Sequence, residues 1–398
     1  MSLSSSDPTT RAGRRVRQAT GYRAFIPAPL PPDPPVALAG ELQALLSQAD
    51  RALGRLDGSV TTLPNPDFLV FMYVRKEAVL SSQIEGTQSS LQDLLAAEAE
   101  LFDPAELPHD VDEVINYVAA MRHGLARLSE LPVSVRLIRE IHARLLEGVR
   151  GSRLTPGEFR RSQNWIGPGG STIADATFVP PPPDEVPRAL GDLESFLHAD
   201  DELPLLIRIG LAHAQFETIH PFLDGNGRMG RLLITFLLTE RGALHKPVLY
   251  LSHWFKQHRQ EYYDRLQNVR DRGDWEGWLT FFVRGVEQVS REAADTARRV
   301  LALRERHRAA ITGQLGRAAG NGHRVHEALF GRPIVTVSTV QELTGLSFAP
   351  ANELVKRLAS IGVLREITGY SRNRRFQYDE YVRLFTGDTT EEAAQSKG

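Results

Sequence analysis

The residues best suited to chemistry lie in one run, His220-Pro221-Phe222-Leu223-Asp224-Gly225-Asn226-Gly227-Arg228-Met229-Gly230-Arg231. Pro221 and Gly225 both oppose helix, so the run forms a loop between two stretches of helical periodicity. Gly225 and Gly227 flank Asn226 and let backbone N–H groups converge at the start of the next helix, where the dipole favours an anion. Phosphate is the natural guest. Arg228 and Arg231 fall in the first turn of that helix, where a cation costs roughly 0.3–1 kcal/mol. Breaking this rule twice on one face, at i and i+3, implies a strong compensating anion such as a polyphosphate. Asp224 supplies the hard oxygen that Mg2+ requires, and Asn226 adds a neutral donor. His220 ordinarily titrates near neutrality and can take a proton from an attacking hydroxyl. Together these are the parts of phosphoryl or nucleotidyl transfer.

Other readings of the same residues are weaker. Gly225-x-Gly227-x-x-Gly230 satisfies the dinucleotide fingerprint, but that motif needs a preceding strand and here a helix precedes. Glu217-x-x-His220 has the spacing of half a di-metal carboxylate site. The other Glu-x-x-His, Glu106 to His109, contains Pro108 and cannot lie mid-helix. No GxxxxGK(S/T) run occurs, so any use of ATP is not of the P-loop kind.

Helices must hold this loop. Apolar residues recur at three- and four-residue spacings over 41–56, 68–95, 111–128, 133–149, 185–198, 205–219, 228–241, 259–269 and 275–308, so the fold class is mainly α. Residues 28–35 are proline-dense and predicted to lie extended. Residues 164–183 combine glycines, two short β-prone patches and four consecutive prolines, which predicts a small hairpin with a rigid exit. Beyond Gly320, helices at 325–330, 337–343 and 349–358 and strands at 363–368 and 375–378 lay out a winged helix-turn-helix. The expected boundaries are a disordered tail (1–20), an N-terminal helical region (21–110), a core (111–290), a linker helix (291–320), the winged-helix domain (321–385) and a second disordered tail (386–398). Arg372, Arg374 and Arg375 cluster in the wing, and Lys356 and Arg357 sit late on its recognition helix. DNA is therefore a candidate partner, with protein docking or dimerisation as the alternative use.

Bulk properties narrow the classes. A net charge of −2 over 398 residues gives no global pull toward nucleic acid or membrane. The absence of cysteine excludes disulfides, thiolate metal sites and cysteine nucleophiles. No secretory signal or long apolar run is visible, so a soluble, cytoplasmic protein with no membrane partner is expected.

Residues 220–231 match the Fic family signature HxFx(D/E)GNGRxxR at every fixed position, and the chain is similar to that family over roughly residues 65–290. The resemblance implies a Fic-type helical bundle with a β-hairpin flap and a C-terminal winged helix. It also implies a protein adenylyltransferase that uses ATP and Mg2+ to attach AMP to Ser, Thr or Tyr hydroxyls of a protein, itself included. His220 is then the general base and Asp224 the Mg2+ ligand. Gly225, Asn226, Gly227, Arg228, Met229, Gly230 and Arg231 bind ATP, and Tyr262 and Tyr263 line the base pocket. Ile166, Thr172, Ile173 and Phe178 belong to the flap. Ser81-Ser82-Gln83-Ile84-Glu85-Gly86 is similar to the family's inhibitory motif (S/T)xxxE(G/N), which implies that Ser81 and Glu85 stand one helical turn apart and that Glu85 pairs with Arg231 where the γ-phosphate would bind. The same Glu85 could orient a water for AMP removal, and because family members of this layout often form dimers, a homodimer is a candidate assembly. The competing class is a DNA-binding regulator whose Fic core senses nucleotide without turnover; the presence of both His220 and Asp224 argues against it.

Overall fold

In the computed structural model, which describes residues 10–100, 107–370 and 372–386, the chain opens with a hairpin. Strands β1 (Gly13–Arg17) and β2 (Arg23–Pro27) pair antiparallel, with Val16 opposite Ala24. This corrects the disordered tail expected over 1–20, within the part described. Arg11 pairs with Glu276, Arg15 pairs with Asp271, and Phe25 is buried against Phe178. Arg11 and Arg15 thus face acids on distant helices, a pairing that composition does not reveal. Residues 1–9 and 387–398, assigned to the two tails, lie outside the described residues.

Eleven helices follow among the described residues before the C-terminal module: α1 (Gly40–Thr61), α2 (Asp67–Ile84), α3 (Leu91–Glu98), α4 (Val111–Arg127), α5 (Val135–Leu145), α6 (Val186–Leu197), α7 (Leu205–Ile219), α8 (Asn226–Glu240), α9 (Ser252–Gln257), α10 (Arg259–Arg272) and α11 (Trp275–Gln314). Leu42, Ala49, Leu53, Leu56 and Val60 form the buried stripe of α1, which packs along α11. The single helix expected over 68–95 is two. Gly86 adopts φ 101°, open to glycine at little cost, and ends α2; Ser90 and Asp93 then form the capping box of α3. Glu85 is therefore the C-cap of α2, and Ser81 lies in its last turn.

The centre of the molecule is the antiparallel pair α7–α8. Every residue from Leu206 to Ile219 is buried, as are nearly all of those from Asn226 to Leu238. A helix apolar on all sides belongs inside other helices, and here α10 and α11 cover α7 while α2, α4 and α5 cover α8. The connecting loop at 220–225 is thus held at both ends by rigid elements. Residues 28–35 run across this core as expected, and Gln215 Nε2 donates to Ala28 O at 2.8 Å.

The flap is looser than the hairpin expected from sequence. Ile166 and Phe178 exchange backbone hydrogen bonds of 2.8 and 3.0 Å, and turns at Pro168–Ser171 and Thr172–Asp175 fill the space between. Pro168 has no N–H to add to a ladder, and its flanking glycines have no side chains to pair. At the C-terminus, α12 (Ala319–Leu329), α13 (Val337–Thr344), α14 (Phe348–Ser360) and α15 (Asp379–Thr386) surround a sheet of β3 (Ile334–Val335), β4 (Arg365–Glu366) and β5 (Phe376–Gln377) in the order β3-β5-β4. Strand β3 and helix α15 are additions to the expected layout. Each strand is two residues long, too short for a periodic signal. The module docks on α2 through Phe68, which stacks on Phe330 at 4.4 Å and accepts a hydrogen bond from Tyr381 at its carbonyl. Among the described residues no helix is long and apolar enough to cross a membrane.

Candidate active site

Helix α7 stops because Pro221 disfavours the helical region for the residue before it, and His220 turns to φ 48°, a conformation rare for a side chain of its size. Such a residue persists only if its neighbours hold it. Arg160 Nε donates to His220 O at 2.9 Å, and Arg160 Nη2 reaches Pro181 O at 2.5 Å. The imidazole Nδ1 has no partner. Burial, then the nearby Arg270 and Arg160, push the His220 pKa down to about 3, against a smaller upward pull from Glu85. The ring is neutral at pH 7, so one of its two nitrogens carries no proton.

The rest of the loop is shaped from beneath. Asn226 Nδ2 donates to Phe222 O and Asn226 Oδ1 accepts from Phe222 N, both at 2.9 Å, so this side chain folds the loop instead of facing solvent. His142 stacks on Phe222 at 3.6 Å. Gly157 N donates to His142 Nδ1, which leaves the proton on Nε2, and Nε2 donates to Asp224 O at 2.9 Å. Burial holds His142 down to about 4, so this tautomer persists at neutral pH. Asp224 Oδ1 accepts from Gly225 N at 2.6 Å, and Gly225 takes φ 77° at the N-cap of α8. A Cβ on Gly151 would stand 2.7 Å from Asp224 Oδ2, so glycine there leaves that oxygen room.

The two arginines have different surroundings. Arg228 is fully buried; its Nη1 donates to Glu113 at 3.1 Å, and its Nε and Nη2 have no hydrogen-bond partner. Arg231, 2% exposed, donates from Nε to Ser81 Oγ at 2.8 Å and from Nη2 to Ser81 O at 2.9 Å and Glu85 Oε1 at 2.7 Å. Burial pushes the Glu85 carboxyl up, but Arg231, Arg228 and His220 together hold it below the usual carboxylate range. That carboxylate rests against the first turn of α8. A Cβ on Gly227 would stand 2.2 Å from Glu85 Oε1, so glycine makes the seat and an anion fills it.

These groups meet in a cleft of about 920 Å³ lined by Glu85, His220, Gly227, Arg231, Tyr262 and Tyr263, with Trp165, Ile166 and Thr177 from the flap. Tyr262 is buried, and its hydroxyl donates to His213 Nε2 at 2.9 Å; Tyr263 is 39% exposed. Phe178 lies behind the cleft under Arg270, while Thr172 is exposed at the flap tip and Ile173 beside it is half-buried. The Met229 side chain is in the core, and Gly230 gives room to Glu217, whose Oε1 would stand 2.3 Å from a Cβ there. Glu217 also lines the cleft. Its Oε1 has no partner, and burial, with Glu85 adding, pushes its pKa up to about 7 against Arg231 and Arg270.

The sequence reading missed Glu113, His142, Arg160 and Arg270, which pack on the loop or on the residues that flank it. None stands at a recognisable spacing from the loop, and each reaches it only through packing.

The helical fold and the cleft define a class: a bundle that presents an anion seat and a neutral imidazole on one short loop. Residues 43–126 match the family model Fic/DOC family N-terminal, and residues 132–238 match Fic/DOC family. Residues 43–126 are thus a Fic/DOC family N-terminal region and residues 132–238 a Fic/DOC family domain. It is 33% identical over 199 residues to a protein adenylyltransferase Fic of Aedes aegypti, an alignment covering 49% of this chain and 35% of the relative. It is 31% identical over 185 residues to a probable protein adenylyltransferase of Aquifex aeolicus (strain VF5), covering 45% and 52%. The chain thus spans about a third to a half of the length of these curated relatives. A crystal structure of a Fic family protein from Desulfovibrio desulfuricans G20 shares the fold, with a TM-score of 0.56 at 20% identity over 86% of this chain and 97% of that one.

Proposed function

We propose that this chain is an auto-inhibited protein adenylyltransferase that moves AMP from ATP to a Ser, Thr or Tyr hydroxyl of a protein, its own chain included. One observation carries the reading: the neutral imidazole of His220 lines the same cleft as an anion seat that the chain's own Glu85 occupies. The shared stretch with relatives named as protein adenylyltransferases supports the same direction.

In this reading the target hydroxyl attacks the α-phosphorus of ATP. The new O–P bond forms as the bond to the bridging oxygen of the β-phosphate breaks, pyrophosphate leaves, and His220 takes the hydroxyl proton. Burial, then Arg270 and Arg160, depress the imidazole; the negative charge of a bound triphosphate would offset the arginines and raise the basicity of His220 where the proton is to be taken. Gly225 and Gly227 present backbone N–H groups at the start of α8. Arg228 offers Nε, which has no partner, and Nη2, which lies 3.6 Å from Asp224 Oδ1, and Arg231 binds phosphate once Glu85 lets go. The residues present fit Mg2+: Asp224 is a single carboxylate whose Oδ2 has space beside Gly151, and Mg2+ commonly takes one or two carboxylates and completes its shell with phosphate oxygens and water. When bound, the ion would neutralise phosphate charge. Tyr262 and Tyr263 would wall the nucleobase, and the backbone between Ile166 and Phe178 would align the target segment by pairing. Glu85, once released, could orient a water for removal of AMP.

The winged-helix reading of the C-terminal module belongs to the same proposal. A groove lined by Ser338, Asn352, Arg372 and Arg374, with Phe348 61% exposed beside it, supports a docking role, and a salt-dependent gel shift tests DNA as the partner.

Incubation of the wild type, Glu85→Gly and His220→Ala with labelled ATP and Mg2+, read by intact mass and peptide mapping, tests the function. AMP on a Ser, Thr or Tyr is expected in the wild type, more in Glu85→Gly and none in His220→Ala. Absence of AMP from both the wild type and Glu85→Gly, on the chain and on proteins of a lysate, would refute it.

A further inference from the structure

A second cavity, of about 400 Å³, shares no lining residue with the cleft and falls in the size range of small-molecule sites. Helix α2 contributes Tyr73, Lys76 and Glu77, helix α11 contributes Glu292 and Arg299, and α15 contributes Leu384. Glu77 is 1% exposed. Its Oε1 accepts from Tyr117 Oη at 3.1 Å and Ser252 Oγ at 2.6 Å, and neither of those residues lines the cavity. Its Oε2 has no partner. A buried carboxyl oxygen without a donor is rare in folded proteins and marks a place where a donor belongs.

The exposed side of the cavity has the opposite need. Of its two acids, Asp295 pairs with Arg298, and Glu292 accepts from Gln288 Nε2 at 2.9 Å and attracts Lys76. Lys76 and Arg299 make no hydrogen bond or ion pair to any described residue, and burial lowers the Lys76 ammonium from its ordinary range. Two cations without a hydrogen-bond partner and one buried carboxyl oxygen without a donor border the same cavity, whose apolar side is made by Tyr73, Leu80 and Leu384.

We propose that this cavity is a ligand site for a small zwitterion of the ω-amino acid class. The ammonium meets Glu77 Oε2, the carboxylate meets Lys76 and Arg299, and the carbon chain lies between Tyr73 and Leu384. The site also has a route to the active centre. Glu77, Ser81 and Glu85 follow one another at four-residue spacing along α2, and Ser81 and Glu85 hold Arg231. An occupant that engages Glu77 therefore acts one turn from the grip on Arg231 and alters how readily Glu85 leaves. This coupling rests on the auto-inhibition proposed above; the binding itself does not.

Calorimetric titration of the full chain with 5-aminopentanoate and 6-aminohexanoate, against hexanoate and hexylamine as single-charge controls, tests the site. Saturable one-site binding is expected, at least tenfold tighter for one of the amino acids than for either control. Arg299→Ala should weaken it about tenfold, and Leu80→Trp, which fills the cavity, should abolish it. No saturable binding of either amino acid, equal affinity of the controls, or unchanged affinity in Arg299→Ala overturns the site. For the coupling, the bound probe should change wild-type AMP transfer at least threefold and leave Glu85→Gly unchanged. Binding without a change in rate overturns the coupling. Absence of AMP transfer from both proteins instead counts against the adenylyltransferase reading, which the calorimetry does not depend on.

Discussion

Replacing Glu85 with glycine removes one of the three hydrogen bonds that Arg231 donates and leaves the two that Ser81 accepts in place. The guanidinium should therefore keep its orientation and lose only its anionic partner. Glycine is tolerated at this position because Glu85 caps α2 and does not lie inside it. A hydrogen bond to a charged group contributes roughly 1.5–3 kcal/mol. The Glu85 side chain is 32% exposed, so solvent screens the pair and the low end applies. Removing the competitor should then release about 1.5–2 kcal/mol to ATP, or roughly 10–30-fold in kcat/KM for AMP transfer at sub-saturating ATP. The assay is the initial rate of AMP incorporation against ATP concentration for wild type, Glu85→Gly and Ser81→Ala/Glu85→Gly. The double variant should lose part of the gain, because Arg231 then lacks the Oγ contact that aims it. Equal kcat/KM for the wild type and Glu85→Gly, in a variant with wild-type thermal stability, would refute the competition.

Three further outcomes follow from the same geometry. His220→Ala should abolish AMP transfer while nucleotide affinity by calorimetry stays within about threefold, since the imidazole contacts the reacting proton and not the phosphate seat; residual transfer above a few per cent would exclude it as the base. Gly227→Ala places a Cβ 2.2 Å from the position of Glu85 Oε1, so it should weaken the Glu85 contact yet also fail to transfer AMP in the Glu85→Gly background, and full activity there would show that the seat is not where phosphate binds. Glu217, raised by burial from 4.5 to about 7, binds its proton more tightly in the folded chain, so its contribution to stability is complete below pH about 4.5 and is lost as pH rises through about 7. The loss is about 3 kcal/mol at most, and Glu217→Gln should remove it, narrowing the difference between urea midpoints at pH 5 and pH 8; an unchanged difference would show that Glu217 is not protonated in the native state.

The bend of the central loop was legible without coordinates because it is local. Pro221 and Gly225 end one helix and start the next wherever they occur, and two arginines at the start of a helix advertise an anion. Most of the helices were legible for the same reason, since apolar spacing reflects one face of one element. What surrounds the loop is another matter. Arg231 meets Glu85 across 146 residues of chain, and Arg228 meets Glu113 across 115. Resemblance to a family motif anticipated the first contact; nothing in the chain announced the second. His142 and Arg160 reach the loop by stacking and by backbone carbonyls, which carry no residue code. The split of α2 from α3 turned on one glycine at φ 101°, and the β1–β2 hairpin on arginines whose partners lie on α10 and α11. The sequence by itself determined which groups could act and where the backbone must bend. Tertiary packing decided which of them lie buried beneath the loop, which face the cleft and which carboxylate fills the anion seat, because those depend on contacts between elements far apart in the chain.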